Sequence, residues 1–163
     1  MPEIDLAVVV DVRRLQRAFL NLQALDGDAG RKDITRVAAG CLLSSSERAF
    51  ETQTDPETGQ PWRALSDPYI AWREKHGYSP IKILTLNGNL ARAMTTDYGP
   101  TWALIGSNEP YAAIHQWGGT PGMRPGPAAI PARPYMGLDK VAEREILDYI
   151  KKRYEKAIDE TNG

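Results

Sequence analysis

YAAIHQWGGTPGMRPGPAAIPARPYMG, at residues 111–137, interrupts an otherwise ordinary globular pattern. It begins with an apolar and aromatic helical turn and continues into a segment rich in proline and glycine. Ten of the twenty residues at 118–137 are Gly or Pro, a density that neither a helix nor a central strand tolerates. We therefore predict an extended arm at residues 118–130, followed by a short segment, 130–137, that docks the chain again.

The rest of the chain has the composition of a single globular domain, residues 1–163, that presents this arm. It is 42% hydrophobic and 25% charged, which suffices for one core. Its net charge of -1 argues against a broad nucleic-acid-binding surface, which needs a basic excess. The single cysteine, Cys41, excludes an intrachain disulfide framework and a zinc site made of several cysteines. It is expected to be a small buried residue.

The two ends of the chain carry no membrane or export signal that we recognise. No apolar run reaches the length needed to span a bilayer, and the N-terminal sequence MPEIDLAVVV lacks the basic region of a signal peptide. We therefore expect a protein that is made and assembled in a reducing cytoplasm. Residues 161–163 are expected to fray.

Hydrophobic periodicity predicts the order of the secondary-structure elements. Alternating apolar residues at 3–10 indicate a strand with one buried face, and a helical period follows at 12–25 and again at 33–50, separated by a turn at 26–30. Downstream we predict short helices at 67–76, 90–94 and 111–117, a β-hairpin at 95–106 and a long helix at 138–160. This order, with an N-terminal helix pair and a long C-terminal helix around a hairpin, predicts an α+β fold.

The sequence contains no arrangement typical of a catalytic, metal or cofactor site. His76 ends a predicted helix, where an imidazole is favourable for structural reasons. His115 would need an orienting acid and a nucleophile to act as a base, and a helix would not place Glu109 beside it. The glycines at 118–122 surround a proline, which removes an amide donor that a phosphate cradle needs. We predict a structural or interface role for His115.

Five residues in or beside the arm have the chemistry of interface residues. Arginine, tryptophan, tyrosine and methionine are enriched at protein interfaces. For the two residues inside the arm we favour an interface role, because the arm offers no core to join. For Arg133, a position in an interface and a local ion pair are equally open. For Tyr135, an interface and the core are equally open. Trp117 has the same two alternatives as Tyr135. The candidates are Trp117, Met123, Arg124, Arg133 and Tyr135.

Four motifs, in order, resemble those of the phage virion morphogenesis family, the tail-completion proteins of tailed bacteriophages and Mu-like prophages. They lie at residues 50–65 (Phe50, Asp55-Pro56, Gly59, Pro61-Trp62, Leu65), 83–90 (Ile83-Leu84, Gly88, Leu90), 111–118 (YAAIHQWG) and 130–137 (IPARPYMG). Trp117 departs from the family pattern, where a smaller aromatic such as Phe is expected, and the arm between them carries no motif. The positions that the resemblance implies are structural are Trp62, Gly88, Leu90, Tyr111, His115, Gln116, Gly118, Pro131 and Pro134.

The resemblance implies a virion assembly protein without catalytic activity or cofactor, in which helices pack on a small antiparallel sheet. Proteins of this kind complete the tail at its head-proximal end and allow it to join the filled head, and related ones form rings, often sixfold. The implied partners are further copies of the chain in a homo-oligomeric ring, the tail tube or sheath, and the head-neck connector proteins. The implied location is the tail or neck of the virion, after assembly in the host bacterial cytoplasm. No membrane or small-molecule substrate is implied, and DNA contact is expected only through the ring lumen.

Two other functions fit parts of the sequence. One is a small phage-encoded hydrolase that uses His115, which predicts a concave pocket where this histidine meets a carboxylate or a nucleophile. The other is a nucleic-acid-binding component of the neck, for which Arg13, Arg14 and Arg17 form a basic cluster at helical spacing. A solvated helix face explains the same cluster, and steeply salt-dependent DNA binding would favour the nucleic-acid function.

Overall fold

A computed structural model describes residues 6–8, 27–119 and 130–161. It confirms the α+β prediction. The predicted helix at 12–25 with its arginine cluster, the arm residues Met123 and Arg124, and residues 162 and 163 lie outside the described ranges. In the described ranges the elements follow the order β1 (Leu6–Val8), α1 (Asp28–Thr52), α2 (Asp67–Lys75), α3 (Asn89–Arg92), β2 (Met94–Gly99), β3 (Trp102–Ser107), α4 (Ala112–Trp117) and α5 (Lys140–Thr161). Among the helices so described, none is long and apolar enough to cross a membrane.

The described strands form an antiparallel sheet in the order β1-β3-β2. In the β2–β3 hairpin, Gly99 pairs with Trp102 beside the turn and Met94 pairs with Ser107 at the open end. Strand β1 pairs with the other edge of β3, where Val8 lies opposite Ile105. The predicted hairpin is confirmed, and so is the predicted N-terminal strand over its described residues, 6–8.

Helix α1 is the element that packs against both the sheet and α5. It begins at Asp28, five residues before the predicted start, so the prediction of a turn at 28–30 was wrong. The helical hydrogen bonds already begin with the Arg31 amide, which donates to the Gly27 carbonyl at 3.2 Å. Gly30 is buried within the helix, and so this glycine serves packing rather than a turn. The Thr35 hydroxyl donates to the Gly99 carbonyl at 2.6 Å and ties α1 to the hairpin.

Two apolar clusters form along α1. The first lies between α1 and α5 and consists of Ile34, Ala38, Cys41, Ala142, Ile146 and Ile150. The second joins the C-terminal half of α1 to the sheet and to residues 135 and 136: Leu42, Ala49, Phe50, Trp62, Leu90, Met94, Ile105, Ala112, Tyr135 and Met136. Cys41 is buried, as predicted, and its burial together with the nearby Glu145 carboxylate raises the pKa of the thiol to about 11.

A carboxylate at the start of α5 fixes this helix to α1. Both oxygens of Asp139 accept hydrogen bonds from Arg48, at 2.7 and 2.8 Å. Asp139 also caps α5 by accepting the Ala142 amide at 2.7 Å, and its own amide donates to the Ser45 hydroxyl at 2.9 Å. Partial burial opposes ionisation, but the hydrogen bonds from Arg48 and Ala142 prevail and lower the pKa of Asp139.

We predict that Asp139→Asn destabilises the protein by about 1–2 kcal/mol at neutral pH. The substitution removes the charge of the partly solvent-screened ion pair with Arg48, but the asparagine oxygen still accepts the Ala142 amide and so keeps the helix cap. Because the folded-state pKa is lowered, this contribution is present above the ordinary aspartate pKa of 3.8 and is lost as the pH falls below it. Urea unfolding at pH 7 and near pH 3 measures both effects. The exposed Asp148→Asn on the same helix is the matched control, and an equal loss in the two variants contradicts the prediction.

Candidate functional site

The side chain of Gln116, on the one-and-a-half-turn helix α4, holds the segment that returns from the arm. Its Oε1 accepts the backbone amides of Tyr135 and Met136, both at 3.0 Å, and its Nε2 donates to the Met136 carbonyl at 3.0 Å. Gln116 is 5% exposed. One buried side-chain amide therefore satisfies three backbone groups that have no strand or helix partner.

The returning segment is also fastened through its aromatic side chain. Tyr135 is fully buried, its hydroxyl donates to the Ala112 carbonyl at 3.2 Å, and its ring lies 5.3 Å from that of Phe50. Trp62 packs edge-on against Phe50 and its indole N–H donates to the Pro134 carbonyl at 2.6 Å. These contacts join the first and last family motifs in one core.

The two ends of the arm meet at one point. The Gly119 amide donates to the Ile130 carbonyl at 2.9 Å, and the Arg133 amide donates to the His115 carbonyl at 2.8 Å. Gly118 has φ +80°, and a Cβ there would stand 2.9 Å from the backbone nitrogen of Ala132. Only glycine therefore allows the chain to leave α4 this close to the backbone of Ala132.

The described interface candidates divide between the surface and the interior. Trp117 is 58% exposed and follows Gln116 on α4, so its side chain lies on the surface beside the base of the arm. Tyr135 has its side chain in the core, and Arg133 is 7% exposed. The structure thus places these two inside the subunit, because hydrogen bonds to distant backbone groups fix the path of the segment that carries them. Of the five candidates, Trp117 is the described one whose side chain faces solvent.

Arg133 is buried without a carboxylate partner among the described residues. Its Nε donates to the Arg63 carbonyl at 2.8 Å and one terminal nitrogen donates to the Ala64 carbonyl at 3.1 Å. Burial, followed by the positive charges of Arg63 and Arg73, lowers the pKa of this guanidinium. The local ion pair considered from the sequence is therefore replaced by bonds to main-chain carbonyls.

These groups belong to an open groove of about 1340 Å³, which we call the arginine groove. Its basic residues are Arg63, Arg73, Arg133 and His115. The remaining walls are mostly apolar or uncharged: Ala64, Leu65, Ser66, Tyr69, Leu84, Leu86, Asn87, Asn89, Leu90, Tyr111, Ile130 and Pro131. Arg63 and Arg73 were not singled out from the sequence. The sequence did offer one signal for Arg73, which follows Tyr69 by four residues, a spacing that places the two side chains together on a helix. In the structure the guanidinium carbon of Arg73 lies 4.9 Å from the centre of the Tyr69 ring.

The remaining motif positions shape this groove. Gly88 has φ +75° and precedes α3, whose Leu90 is buried and contacts both the core and the groove. Tyr111 lies edge-on to the imidazole of His115, with ring centres 6.0 Å apart, and Pro131 forms part of the opposite wall. The second, third and fourth motifs therefore contribute to one concave surface.

His115 has surroundings unlike those of a catalytic base. Its Nδ1 is buried and has no hydrogen-bond partner among the described residues. Burial, followed by the positive charge of Arg133, lowers the pKa of the imidazole. The described lining of the groove contains no carboxylate that could orient the ring. The concave pocket expected for a hydrolase is present, but its charged neighbours are arginines.

The described part of the chain is an α+β domain that joins Gly119 and Ile130 by a backbone hydrogen bond and exposes Trp117 beside them. A profile of the phage virion morphogenesis family matches residues 10–155. The chain is 57% identical over 155 residues to the putative capsid assembly protein G of Escherichia phage Mu, which covers 95% of this chain and 97% of the Mu protein.

Two further relatives come from the Mu-like prophage FluMu of Haemophilus influenzae. Its G protein 1 is 37% identical over 139 residues, covering 83% of this chain and 86% of the relative, and its G protein 2 is 44% identical over 145 residues, covering 88% and 94%. No solved structure matches the chain. The chain belongs to the phage virion morphogenesis family and is a bacteriophage virion assembly protein.

We predict that Gln116→Ala lowers the free energy of unfolding by about 3–5 kcal/mol, because it leaves two buried amides and one buried carbonyl without partners. Urea denaturation followed by circular dichroism measures the loss. Gln60→Ala, at an exposed glutamine, is the matched control and should behave as wild type. A loss below about 1 kcal/mol in Gln116→Ala would mean that water or a rearranged backbone replaces the amide.

We also predict that stability decreases as the pH falls below about 6.5, the ordinary histidine value. The lowered folded-state pKa of His115 means that the unfolded chain binds a proton more readily, so acid favours unfolding in this window. The measurement is the unfolding free energy at pH 7.5 and 5.5 in wild type and in His115→Phe, which cannot titrate. Identical pH dependence in the two proteins contradicts the prediction.

Proposed function

We propose that this protein completes the phage tail at its head-proximal end and enables the tail to join the filled head, acting as one subunit of a homo-oligomeric ring. The observation that carries the proposal is the hydrogen-bonded base of the arm. Gly119 and Ile130 are hydrogen-bonded to each other, and Gln116 holds the backbone that follows. The arm therefore starts and ends at a defined point on the subunit surface.

The geometry of ring closure explains why such an arm is useful. A ring closes by heterologous contacts, in which one patch meets a different patch on the neighbour. The prolines at 121, 125 and 127 restrict the backbone before docking, so less entropy is lost when a partner is bound. Trp117 stands beside the base, and exposed tryptophans are the residue type most often found at the energetic centre of an interface.

The family relationship supports a role at the boundary between head and tail. The phage Mu relative is named a putative capsid assembly protein, and a ring at the head-proximal end of the tail would contact both the connector proteins of the neck and the tail tube or sheath. In this proposal the protein has no catalytic activity. DNA would meet the protein only in the ring lumen.

We predict that deleting residues 121–128 and joining the ends with a short Gly-Ser linker leaves the subunit folded but blocks assembly. The linker preserves the Gly119–Ile130 hydrogen bond on which the base depends. In complementation of a phage lacking the wild-type gene, electron microscopy should show separate heads and tails in place of joined virions. A normal yield of joined particles would contradict the role of the arm.

We predict that Trp117→Ala weakens assembly by about thirtyfold, the effect of losing an interface residue worth roughly 2 kcal/mol, with an unchanged melting temperature. Light scattering of the protein with purified tails measures the assembly. The control is Tyr154→Ala, which removes an aromatic residue that is 41% exposed on α5. An equal effect in both variants would show that aromatic truncation in general, rather than this surface, causes the loss.

A further inference from the structure

We infer that the arginine groove is a docking site for an acidic, partly apolar segment of another virion protein. The inference concerns a surface other than Trp117 and the arm, and it does not depend on ring formation. It rests on three observations: the sign of the charge in the groove, the way in which its cations are held, and the chemistry of its walls.

The groove concentrates positive charge without compensation from its own lining. Arg63, Arg73 and Arg133 all line it, and among its described lining residues there is no Asp or Glu. A carboxylate does lie near the rim, where Glu109 interacts with the hydroxyl of Tyr111. The whole chain has a net charge of -1, so the excess of positive charge is local to the groove.

Two of the three guanidinium groups are held in place by main-chain carbonyls. Arg73 is 3% exposed and donates to the Lys82 carbonyl at 2.7 Å and to the Tyr69 hydroxyl at 3.4 Å. Arg133 donates to the carbonyls of residues 63 and 64. Carbonyl oxygens orient a cation but do not neutralise it, so the groove keeps a positive electrostatic potential that attracts an anion.

Two residues that line the groove also carry buried polar atoms that lack a partner among the described residues. The Nε of Arg73 and the Nδ1 of His115 have no hydrogen bond among the described residues. An unpaired buried polar atom costs about 1–3 kcal/mol. A carboxylate supplies two acceptor oxygens in the plane that a guanidinium donor requires.

The walls indicate that the anionic groups come from the carboxylates of a polypeptide rather than from the phosphates of a nucleic acid. Leucines line much of the groove, at positions 65, 84, 86 and 90, together with Ile130 and Pro131. Tyr69 and Tyr111 stand at the surface, 36% and 38% exposed. A phosphate backbone would leave these apolar walls uncovered, whereas a peptide that combines acidic and aliphatic side chains would cover them.

The chain's own arm has the wrong charge to be the occupant. Residues 118–130 contain Arg124 and no acidic residue. The arm would therefore add to the positive charge in the groove rather than balance it. The arm is therefore not the occupant, and we assign the groove to a segment of another polypeptide.

The test uses the full-length protein and a short labelled peptide composed of glutamate, leucine and serine, with binding followed by fluorescence anisotropy. Arg63 is the residue to change, because its side chain is exposed and only its carbonyl supports the fold. We expect Arg63→Glu to weaken binding about tenfold or more, the effect of losing one charge-assisted contact. Arg144→Glu, an equal charge change at an exposed position on α5 outside the groove, should bind as wild type.

Peptide and nucleic-acid probes separate the alternatives. Replacing glutamate by glutamine, or leucine by serine, in the peptide should each abolish detectable binding, which supports an occupant that is both acidic and apolar. Equal binding by wild type and Arg63→Glu overturns the inference. Tighter binding of a single-stranded oligonucleotide than of the peptide, with loss in Arg63→Glu, would assign the groove to nucleic acid. Self-association that Arg63→Glu alone abolishes would assign it to a second copy of the chain. Either result would also overturn the inference, while leaving the arm deletion and Trp117→Ala as separate tests of the proposed function.

Discussion

The buried side-chain amide of Gln116 is the interaction on which the functional part of this structure depends. The segment at 130–137 contains three residues that prevent regular structure, Pro131, Pro134 and Gly137, and yet it lies partly in the core. Buried backbone groups need hydrogen-bond partners, and here no neighbouring strand provides them. Gln116 supplies both an acceptor and a donor at one position, so an irregular segment can be buried at a low cost.

The position of this segment determines what the surface offers to partners. With the backbone held by Gln116, Tyr135 enters the core and Arg133 turns to the side, where it joins Arg73 in the arginine groove. The same arrangement leaves Trp117 on the outside, beside the point where the arm begins and ends. The subunit thereby carries two separate surface features beside this segment, the aromatic side chain of Trp117 and the cationic groove to which Arg133 contributes.

Much of the architecture could be predicted from local pattern. The β2–β3 hairpin and the helices α1 and α5 appear in the hydrophobic periodicity, because each is a regular element with one buried face. The start of α1 was missed because Gly30 is a turn signal in sequence and a packing residue in the helix. The arginine groove was missed because Arg63, Arg73 and Arg133 come from three distant segments, and no local period connects them.

The sequence by itself determined the family, through four motifs in order, and the α+β class, through the order of its periodic elements. Only the tertiary structure decided which side chains of the motifs face inward. From the sequence, an interface and the core were equally open for Tyr135, and an interface and a local ion pair were equally open for Arg133, since a proline-rich segment has no period that assigns its faces. Their orientation follows from hydrogen bonds to Ala112 and to the carbonyls of residues 63 and 64, and these contacts exist only after the chain has folded.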